Sequence, residues 1–199
     1  MSSSRCHGIV LSGIGGQGVL SLAQILVEAL QRSGFQAAQS ELRGARQRGS
    51  SVSAQVCYSE APLDPPAFGD GCVDLLIALE PLEALRFVSM LKMNGHLVVS
   101  EEPRLDQEAY PPLEDVYAAL KAVRGAHLVD TEDLVRRLDH RQAGGLTLLG
   151  LASRFLPAAG PAWQEAITRQ FEGKGAAILA KNLEAFEAGR RLLPATPGA

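Results

Sequence analysis

The first two thirds of the chain alternate short apolar runs with segments of helical periodicity. Continuous apolar runs at 73–79 and 96–100 are typical of parallel strands that are covered on both faces. The alternating pattern over 50–59 indicates a strand with one solvated face. In chain order, strands are predicted over 7–12, 35–40, 50–59, 73–79, 96–100 and 126–129. Helices are predicted over 17–32, from Pro81 to a residue before Asn94, and over 116–123. A further helix is predicted to begin after a cap at Asp130 or Thr131. This order predicts an α/β fold with a doubly wound, mostly parallel open sheet.

The last third of the chain has helical spacing without strand patterns. Pro157, Gly160 and Pro161 separate the first helical segment from the next. We therefore expect a Rossmann-like core over 1–140 and a C-terminal helical appendage over 141–199. The appendage is expected to pack on the sheet or on another subunit.

Composition restricts the class of protein. A hydrophobic fraction of 46%, a charged fraction of 21% and a net charge of -3 are typical of a soluble globular protein and argue against a nucleic-acid partner. No signal peptide or membrane-spanning run is recognisable. We therefore expect a cytoplasmic location and no interaction with a membrane. The three cysteines are far apart in sequence and indicate neither a disulfide framework nor a local metal loop.

A glycine-rich turn between the first predicted strand and helix is the main candidate site. Gly13, Gly15 and Gly18 fit the pattern GxGxxG, which lets an anion approach backbone N–H groups at a helix N-terminus. A dinucleotide site usually has an acidic residue at the end of the second strand, where this chain reads Gln-Ala-Ala-Gln over 36–39. The amide of Gln17 could reach a ligand or brace the loop. Alternatively, the glycines only allow a close strand-to-helix connection.

Three arginines follow the second predicted strand. In a doubly wound sheet this strand ends at the same edge as the glycine turn, so Arg43, Arg46 and Arg48 could face the same crevice and bind phosphate or carboxylate. A solvated loop or a salt-bridged subunit contact would explain the same charges.

Gly69-Asp70-Gly71, followed later by Asn94, resembles the diphosphate and magnesium motif of thiamine-dependent enzymes. That motif lies between a strand and a helix, whereas here it follows a proline loop and precedes a strand. We therefore predict an ordinary turn at this position.

Five stretches together resemble the gamma-type domain of the 2-oxoacid:ferredoxin oxidoreductases, with the closest likeness to the small (beta) subunit of the indolepyruvate enzymes. They are "GIGGQGVLSLAQIL", "SELRGARQRGSSVSAQV", "VDLLIALEPLEAL", "NGHLVVSE" and "NLEAFEAG". The resemblance implies ligand-binding or interface positions in the turn and in the basic segment. The matching residues are Gly13, Gly15, Gly16, Gln17, Gly18, Glu41, Gly44, Gln47, Arg48 and Gly49, with Arg43 and Arg46 beside them.

The resemblance also implies the activity of the whole enzyme, which oxidatively decarboxylates a 2-oxo acid, forms an acyl-CoA and reduces ferredoxin. The full complex is then expected to contain thiamine diphosphate, magnesium, iron–sulfur clusters and coenzyme A. This chain alone is expected to bind none of them. The implied partner is a larger thiamine- and iron–sulfur-binding subunit, with ferredoxin reached through the complex. Indolepyruvate or another arylpyruvate is the implied substrate.

Two other functions stay open. The chain could be a free-standing nucleotide-binding oxidoreductase or a purely structural assembly module, and the isolated chain could form a homodimer. One segment departs from the family pattern, because 142–145 reads Gln-Ala-Gly-Gly where the family more often has asparagines.

Overall fold

Strands and helices follow one another in the order that the hydrophobic pattern predicts. The computed structural model describes residues 6–43, 50–104 and 110–192. The strands are β1 His7–Ile14, β2 Gln36–Arg43, β3 Ser51–Ser59, β4 Val73–Ala78, β5 Leu91–Ser100 and β6 Ala126–Val129. The helices are α1 Val19–Arg32, α2 Pro81–Phe87, α3 Leu113–Lys121, α4 Glu132–Leu138, α5 Ala143–Ala152, α6 Gly160–Gln170 and α7 Ala176–Arg191.

All six strands form one sheet in the order β2-β3-β1-β4-β5-β6. The neighbours β1, β4, β5 and β6 are parallel, whereas β3 is antiparallel to both β1 and β2. The predicted mostly parallel α/β sheet is therefore confirmed. Because β2 is antiparallel to β3, it runs in the same direction as β1, and both strands end at the same edge of the sheet.

Helices cover the sheet on both faces. Ile9 and Leu11 of β1 belong to a buried cluster with α1 and the C-terminal helices, and Val10 belongs to a second cluster with α2 and α3. Successive residues of a strand point to opposite faces, so one strand contributes to both clusters. None of the helices in the described ranges is long and apolar enough to cross a membrane.

The helices of the last third pack on the α1 face of the sheet. Helix α5 is apolar on nearly all sides, and eight of its residues are buried. It contacts α7 closely, because a Cβ atom at Gly150 would overlap the Phe186 carbonyl oxygen and one at Gly189 would overlap the Thr147 carbonyl oxygen. Trp163 of α6 lies 5.4 Å from Phe186 between ring centroids and is buried. These contacts make α5–α7 part of the main hydrophobic cluster.

Strand β5 begins earlier than the sequence predicts. The sequence predicts that the strand begins at 96, but Asn94 and Gly95 lie inside β5, where the pairing with β4 is irregular between Val73 and Leu75. A Cβ atom at Gly95 would lie 3.1 Å from the carbonyl oxygens of Lys92 and Val73, so a larger residue would fit only if its neighbours shifted by a few tenths of an ångström. The turn features of this segment therefore accommodate a bulge rather than ending the strand.

The sheet has a topological switch point between β1 and β4. Helix α1 follows β1 onto one face, and α2 follows β4 onto the opposite face. The two parallel strands are adjacent, so the chain diverges at their C-terminal ends and leaves a crevice there. Ligands of open α/β sheets bind in such a crevice, and the glycine turn lies beside it.

Candidate functional site

The glycine turn, residues 15–18, connects β1 to α1 with its backbone open to solvent on one side. Gly16 and Gly18 have φ values of 97° and 88°, and a Cβ atom added at either would meet nothing within 4 Å. These two positions require glycine for backbone conformation rather than for space. Gly15 and Gly16 are exposed. The open side of the turn can therefore be approached closely by an anion or by the backbone of a partner.

Gly13, at the end of β1, is required for space rather than for backbone conformation. A Cβ atom there would lie 2.9 Å from Gln17 Oε1, 3.0 Å from Val19 Cγ2 and 3.2 Å from Leu79 Cβ. Glycine at this position lets the start of α1 and the end of β4 pack against β1. The first glycine of the GxGxxG pattern thus serves internal packing.

Gln17 braces the turn across the switch point. Its side-chain Oε1 accepts a hydrogen bond from the Ile14 N–H at 2.7 Å, and its Nε2 donates to the Leu79 carbonyl oxygen at 2.9 Å. The Gln17 N–H donates to the Ile14 carbonyl oxygen at 3.1 Å. Of the two roles that the sequence left open for this amide, the structure shows the bracing geometry.

The start of β3 is tied to the same place. Gly15 donates its N–H to the Ser50 carbonyl oxygen at 3.0 Å, and the Ser51 hydroxyl donates to Glu83 Oε2 at 2.6 Å. Glu83 lies in α2, is 2% exposed, and its other oxygen is 3.0 Å from Nε of Arg86. Burial is the main cause that raises the pKa of Glu83. The glycine turn, the start of β3 and α2 therefore form one hydrogen-bonded unit.

A second buried carboxylate, Glu80, follows directly after Leu79. It is fully buried, and its Oε2 accepts from the Glu83 N–H at 2.9 Å, which caps α2. Its Oε1 accepts from the Tyr110 hydroxyl at 2.6 Å and from the Arg104 N–H at 3.3 Å. Burial and the hydrogen bond to Glu80 raise the pKa of Tyr110, so this phenol stays protonated. Glu80 thus joins three segments at the crevice.

The sequence analysis did not identify Glu80 and Glu83 as site residues. A signal was present, because Glu80 directly precedes a proline at the first helical position, which is a typical helix start. An acidic residue at such a start caps the helix. Its full burial depends on tertiary contacts that a local pattern does not contain.

The N-terminus of α5 also reaches this edge of the sheet. A Cβ atom at Gly144 would lie 3.1 Å from Thr131 Oγ1, and one at Gly145 would lie 2.9 Å from Leu22 Cδ1 and 3.4 Å from Leu79 Cδ2. The glycines that depart from the family pattern therefore pack closely against the start of α4, α1 and the end of β4.

The predicted basic segment is described only in part. Glu41 is exposed on β2, and Gln39 donates to its carboxylate at 3.5 Å. Arg43 pairs with Val52, which itself pairs with Gly13, so the three residues form one row across β2, β3 and β1. Two strand spacings place the backbones of Arg43 and Gly13 roughly 10 Å apart. Gly44, Arg46, Gln47, Arg48 and Gly49 lie outside the described residues.

The strand order weighs against a dinucleotide site. In the dinucleotide-binding fold the second strand lies beside the first, and its terminal acid reaches the ribose. Here β3 separates β2 from β1, and Glu41 pairs with Ala54, which pairs with Leu11. The only acid at the end of β2 in the described ranges is therefore two strands from the turn.

Gly69-Asp70-Gly71 forms a turn immediately before β4, as the sequence predicts. Gly71 has a φ of 67° and donates its N–H to the Ser89 carbonyl oxygen at 3.0 Å. The Asp70 carboxylate accepts from the Ser89 hydroxyl at 2.7 Å. In residues 6–43, 50–104 and 110–192, no three His, Cys, Asp or Glu side chains group closely enough to hold a metal ion.

Comparisons of the sequence agree with this architecture. Residues 8–192 match the family model described as pyruvate ferredoxin/flavodoxin oxidoreductase. Indolepyruvate oxidoreductase subunit IorB of Archaeoglobus fulgidus is 29% identical over 192 residues, which cover 91% of this chain and 92% of the relative. IorB of Methanothermobacter thermautotrophicus is 28% identical over 157 residues, which cover 74% of this chain and 78% of the relative.

Solved structures show the same fold. The gamma subunit of a keto/oxoacid ferredoxin oxidoreductase from Geobacter sulfurreducens has a TM-score of 0.68 at 21% identity, over 94% of this chain and 95% of that one. A 2-oxoglutarate:ferredoxin oxidoreductase from Magnetococcus marinus, solved with 2-oxoglutarate, coenzyme A and succinyl-CoA, has a TM-score of 0.75 at 21% identity. The match covers 98% of this chain but only 33% of the Magnetococcus chain.

The family model covers nearly the whole chain, and the relatives that match it are oxidoreductase subunits. The resemblance seen in the glycine turn and the basic segment is thereby confirmed. This chain belongs to the pyruvate ferredoxin/flavodoxin oxidoreductase family.

Proposed function

We propose that this chain is the noncatalytic small subunit of a thiamine-diphosphate-dependent 2-oxoacid:ferredoxin oxidoreductase that acts on indolepyruvate or a related arylpyruvate. The observation that carries the proposal is the match to IorB over 92% of that relative's length. The assembled enzyme would oxidatively decarboxylate the 2-oxo acid, transfer the acyl group to coenzyme A and pass the electrons to ferredoxin. Thiamine diphosphate supplies the carbanion chemistry of such a reaction when bound.

The residues at the switch point support a noncatalytic role. The Gln17 amide has both its oxygen and its nitrogen in hydrogen bonds, and both carboxylates of the crevice are buried and hydrogen-bonded. Groups held in this way position backbone segments and are poorly placed to move protons on a substrate. We therefore assign the catalytic groups to a larger subunit.

The thiamine diphosphate and magnesium site also fits a larger subunit better than this chain. The Asp70 carboxylate, which the motif would use for magnesium, accepts the Ser89 hydroxyl in a turn that precedes β4. A turn of this kind does not offer the strand-to-helix geometry that the motif requires. The iron–sulfur clusters are assigned to the larger subunit as well, because the three cysteines of this chain are separated in sequence.

The open side of the glycine turn is proposed to contact the larger subunit beside its coenzyme A region. Exposed Gly15 and Gly16 present backbone with no side chain above it, and no side chain in the described ranges caps the first turn of α1. The helix dipole favours a negatively charged group at this position. Arg43, Arg46 and Arg48 would add positive charge at the same edge.

The substrate and the subunit role can be tested together. The chain is co-expressed with the proposed larger subunit, and ferredoxin reduction is followed with indolepyruvate, phenylpyruvate, pyruvate and 2-oxoglutarate in the presence of coenzyme A. We expect turnover only from the co-purified subunits, with arylpyruvates preferred. Preference for pyruvate or 2-oxoglutarate would overturn the substrate assignment, and turnover by the isolated chain would overturn the subunit role.

The alternative of a free-standing nucleotide-binding oxidoreductase is tested by calorimetry on the isolated chain. We expect no binding of NAD or flavin, because the strand order separates the acid of β2 from the turn. Tight binding of either nucleotide would favour the alternative.

A further inference from the structure

A cleft of about 660 Å³ lies at the edge of the sheet opposite the glycine turn. It is formed where β1 begins, where the antiparallel β3 ends, and where the chain leaves α5. Its volume is within the range of small-molecule sites, which bury most of a ligand between apolar walls and a few polar groups. Neither the glycine turn nor the crevice at the switch point contributes a residue to this cleft.

The walls of the cleft are aromatic. The rings of His7 and Tyr58 stack with centroids 4.9 Å apart and an interplanar angle of 16°. Phe35 meets Tyr58 edge-on at 5.6 Å, and Phe155 also lines the cleft. Offset-stacked and edge-on contacts between rings are the favourable geometries, so a flat aromatic ligand can extend this arrangement.

One wall carries an unused hydrogen-bond donor. Tyr58 is 8% exposed, and its hydroxyl has no hydrogen-bond partner in the described part of the chain. Burial raises the pKa of Tyr58 to about 12, with the charge of Asp74 as a second cause. The hydroxyl therefore stays protonated and can donate to a ligand carboxylate.

Opposite charges line the same cleft without neutralising each other. Arg154 is exposed, and its Nη1 donates to the Arg190 carbonyl oxygen at 2.9 Å, which restrains the guanidinium. Glu60 is exposed as well. Within the described ranges, neither residue has an oppositely charged side chain within 4.0 Å. A ligand that carries both charges can pair with both residues.

We propose that this cleft binds an aromatic α-amino acid, with the ring between the aromatic walls, the carboxylate on Arg154 and the Tyr58 hydroxyl, and the ammonium group on Glu60. An aromatic carboxylic acid without the amine satisfies Arg154 and the Tyr58 hydroxyl but leaves Glu60 unpaired. Because the cleft and the glycine turn are at opposite edges, the site is separate from the proposed function and does not depend on it.

Calorimetric titration of the full chain with L-phenylalanine and L-tryptophan tests the proposal. 3-Phenylpropanoate lacks the amine and phenethylamine lacks the carboxylate, and each is expected to bind at least about tenfold more weakly than L-phenylalanine, since each loses one charged group of the ligand. Absence of binding by both amino acids overturns the proposal. Equal binding of 3-phenylpropanoate and L-phenylalanine also overturns it, because Glu60 then has no role.

Variants locate the site. Arg154→Met and Glu60→Gln change exposed residues and are each expected to weaken L-phenylalanine binding by about tenfold. Tyr58→Phe keeps the ring and removes only the hydroxyl. The matched controls Arg136→Met and Glu184→Gln remove the same charges on exposed helix positions outside the cleft and are expected to bind normally. Unchanged affinity in both Arg154→Met and Glu60→Gln would overturn the assignment to this cleft.

Discussion

The side chain of Gln17 and the carbonyl oxygen of Leu79 are joined by a hydrogen bond of 2.9 Å across the switch point between β1 and β4. The other end of the same amide accepts from the Ile14 N–H at 2.7 Å. One side chain thus connects the end of β1, the start of α1 and the end of β4. The glycine turn is held in place by its own glutamine, and its glycines stay free to face outward.

Removing the Gln17 brace is expected to destabilise the fold. Gln17→Ala leaves the Ile14 N–H and the Leu79 carbonyl oxygen without this partner, and an unsatisfied buried group costs about 1–3 kcal/mol. The exposed Gln164→Ala is the control, with an expected effect within about 0.5 kcal/mol. Urea denaturation measures both. A Gln17→Ala variant as stable as the control variant would show that the brace contributes little.

Gly16 is expected to matter for turnover more than for stability. Gly16→Trp and Gly34→Trp each place a side chain at a φ above 90° where nothing lies within 4 Å, so both should lose about 1–3 kcal/mol from backbone strain. Only Gly16 belongs to the turn proposed to face the larger subunit. We expect Gly16→Trp to lower the turnover of the co-purified enzyme at least about tenfold, and Gly34→Trp to leave it nearly unchanged. Equal turnover in the two variants would remove the glycine turn from the proposed contact.

The contact between α5 and α7 is expected to depend on two glycines. A methyl group at Gly150 or Gly189 would overlap a backbone carbonyl oxygen, which cannot rotate away as a side chain does. Each Gly→Ala change is expected to destabilise the chain by about 1–3 kcal/mol, as overpacking does. Gly69→Ala is the control, because its Cβ atom would meet nothing within 4 Å. Equal unfolding midpoints for Gly150→Ala and Gly69→Ala would contradict the close contact.

Two stacked histidines are expected to make the stability pH-dependent. Burial lowers the pKa of His96 and of His127, and His96 packs on Phe155 at 4.1 Å. The unfolded chain therefore binds protons at higher pH than the folded chain, so the free energy of unfolding decreases as the pH falls below about 6.5. The variant His96→Phe keeps an aromatic stack and removes one titrating group. Its free energy of unfolding should decrease less between pH 7 and pH 5, and an equal decrease would contradict the assignment.

Local sequence patterns predicted most elements of the fold but not that both faces of β3 are buried. Its alternating pattern indicated a strand with one solvated face, yet residues 53–59 are all buried. The segment between β3 and β4 covers the polar face, since the Phe68 N–H donates to Gln55 Oε1 at 2.8 Å and the Ser40 hydroxyl donates to the Pro66 carbonyl oxygen at 2.8 Å. The alternation of apolar and polar residues along a strand indicates the polarity of each of its two faces. It does not report which strands or loops lie beside it.

The candidate site was predictable where the backbone imposes a residue type and not where distant segments meet. Positions 16 and 18 require glycine because of their φ values; the GxGxxG pattern identified Gly18, and the family resemblance identified Gly16. The buried Glu80 carboxylate, by contrast, accepts a hydrogen bond from Tyr110, 30 residues away. In the same way the pKa of Cys57 depends on Cys6, which is far away in sequence. Burial and the Cys6 thiol raise the pKa of Cys57 to about 11.

The most direct test of the central claim is a reconstitution titration. The larger subunit is held at fixed concentration, the small chain is added stepwise, and arylpyruvate-dependent ferredoxin reduction is measured with coenzyme A present. The account predicts that turnover rises with added chain and saturates at a fixed molar ratio, while the small chain alone gives none. Full turnover by the larger subunit without this chain would contradict the account.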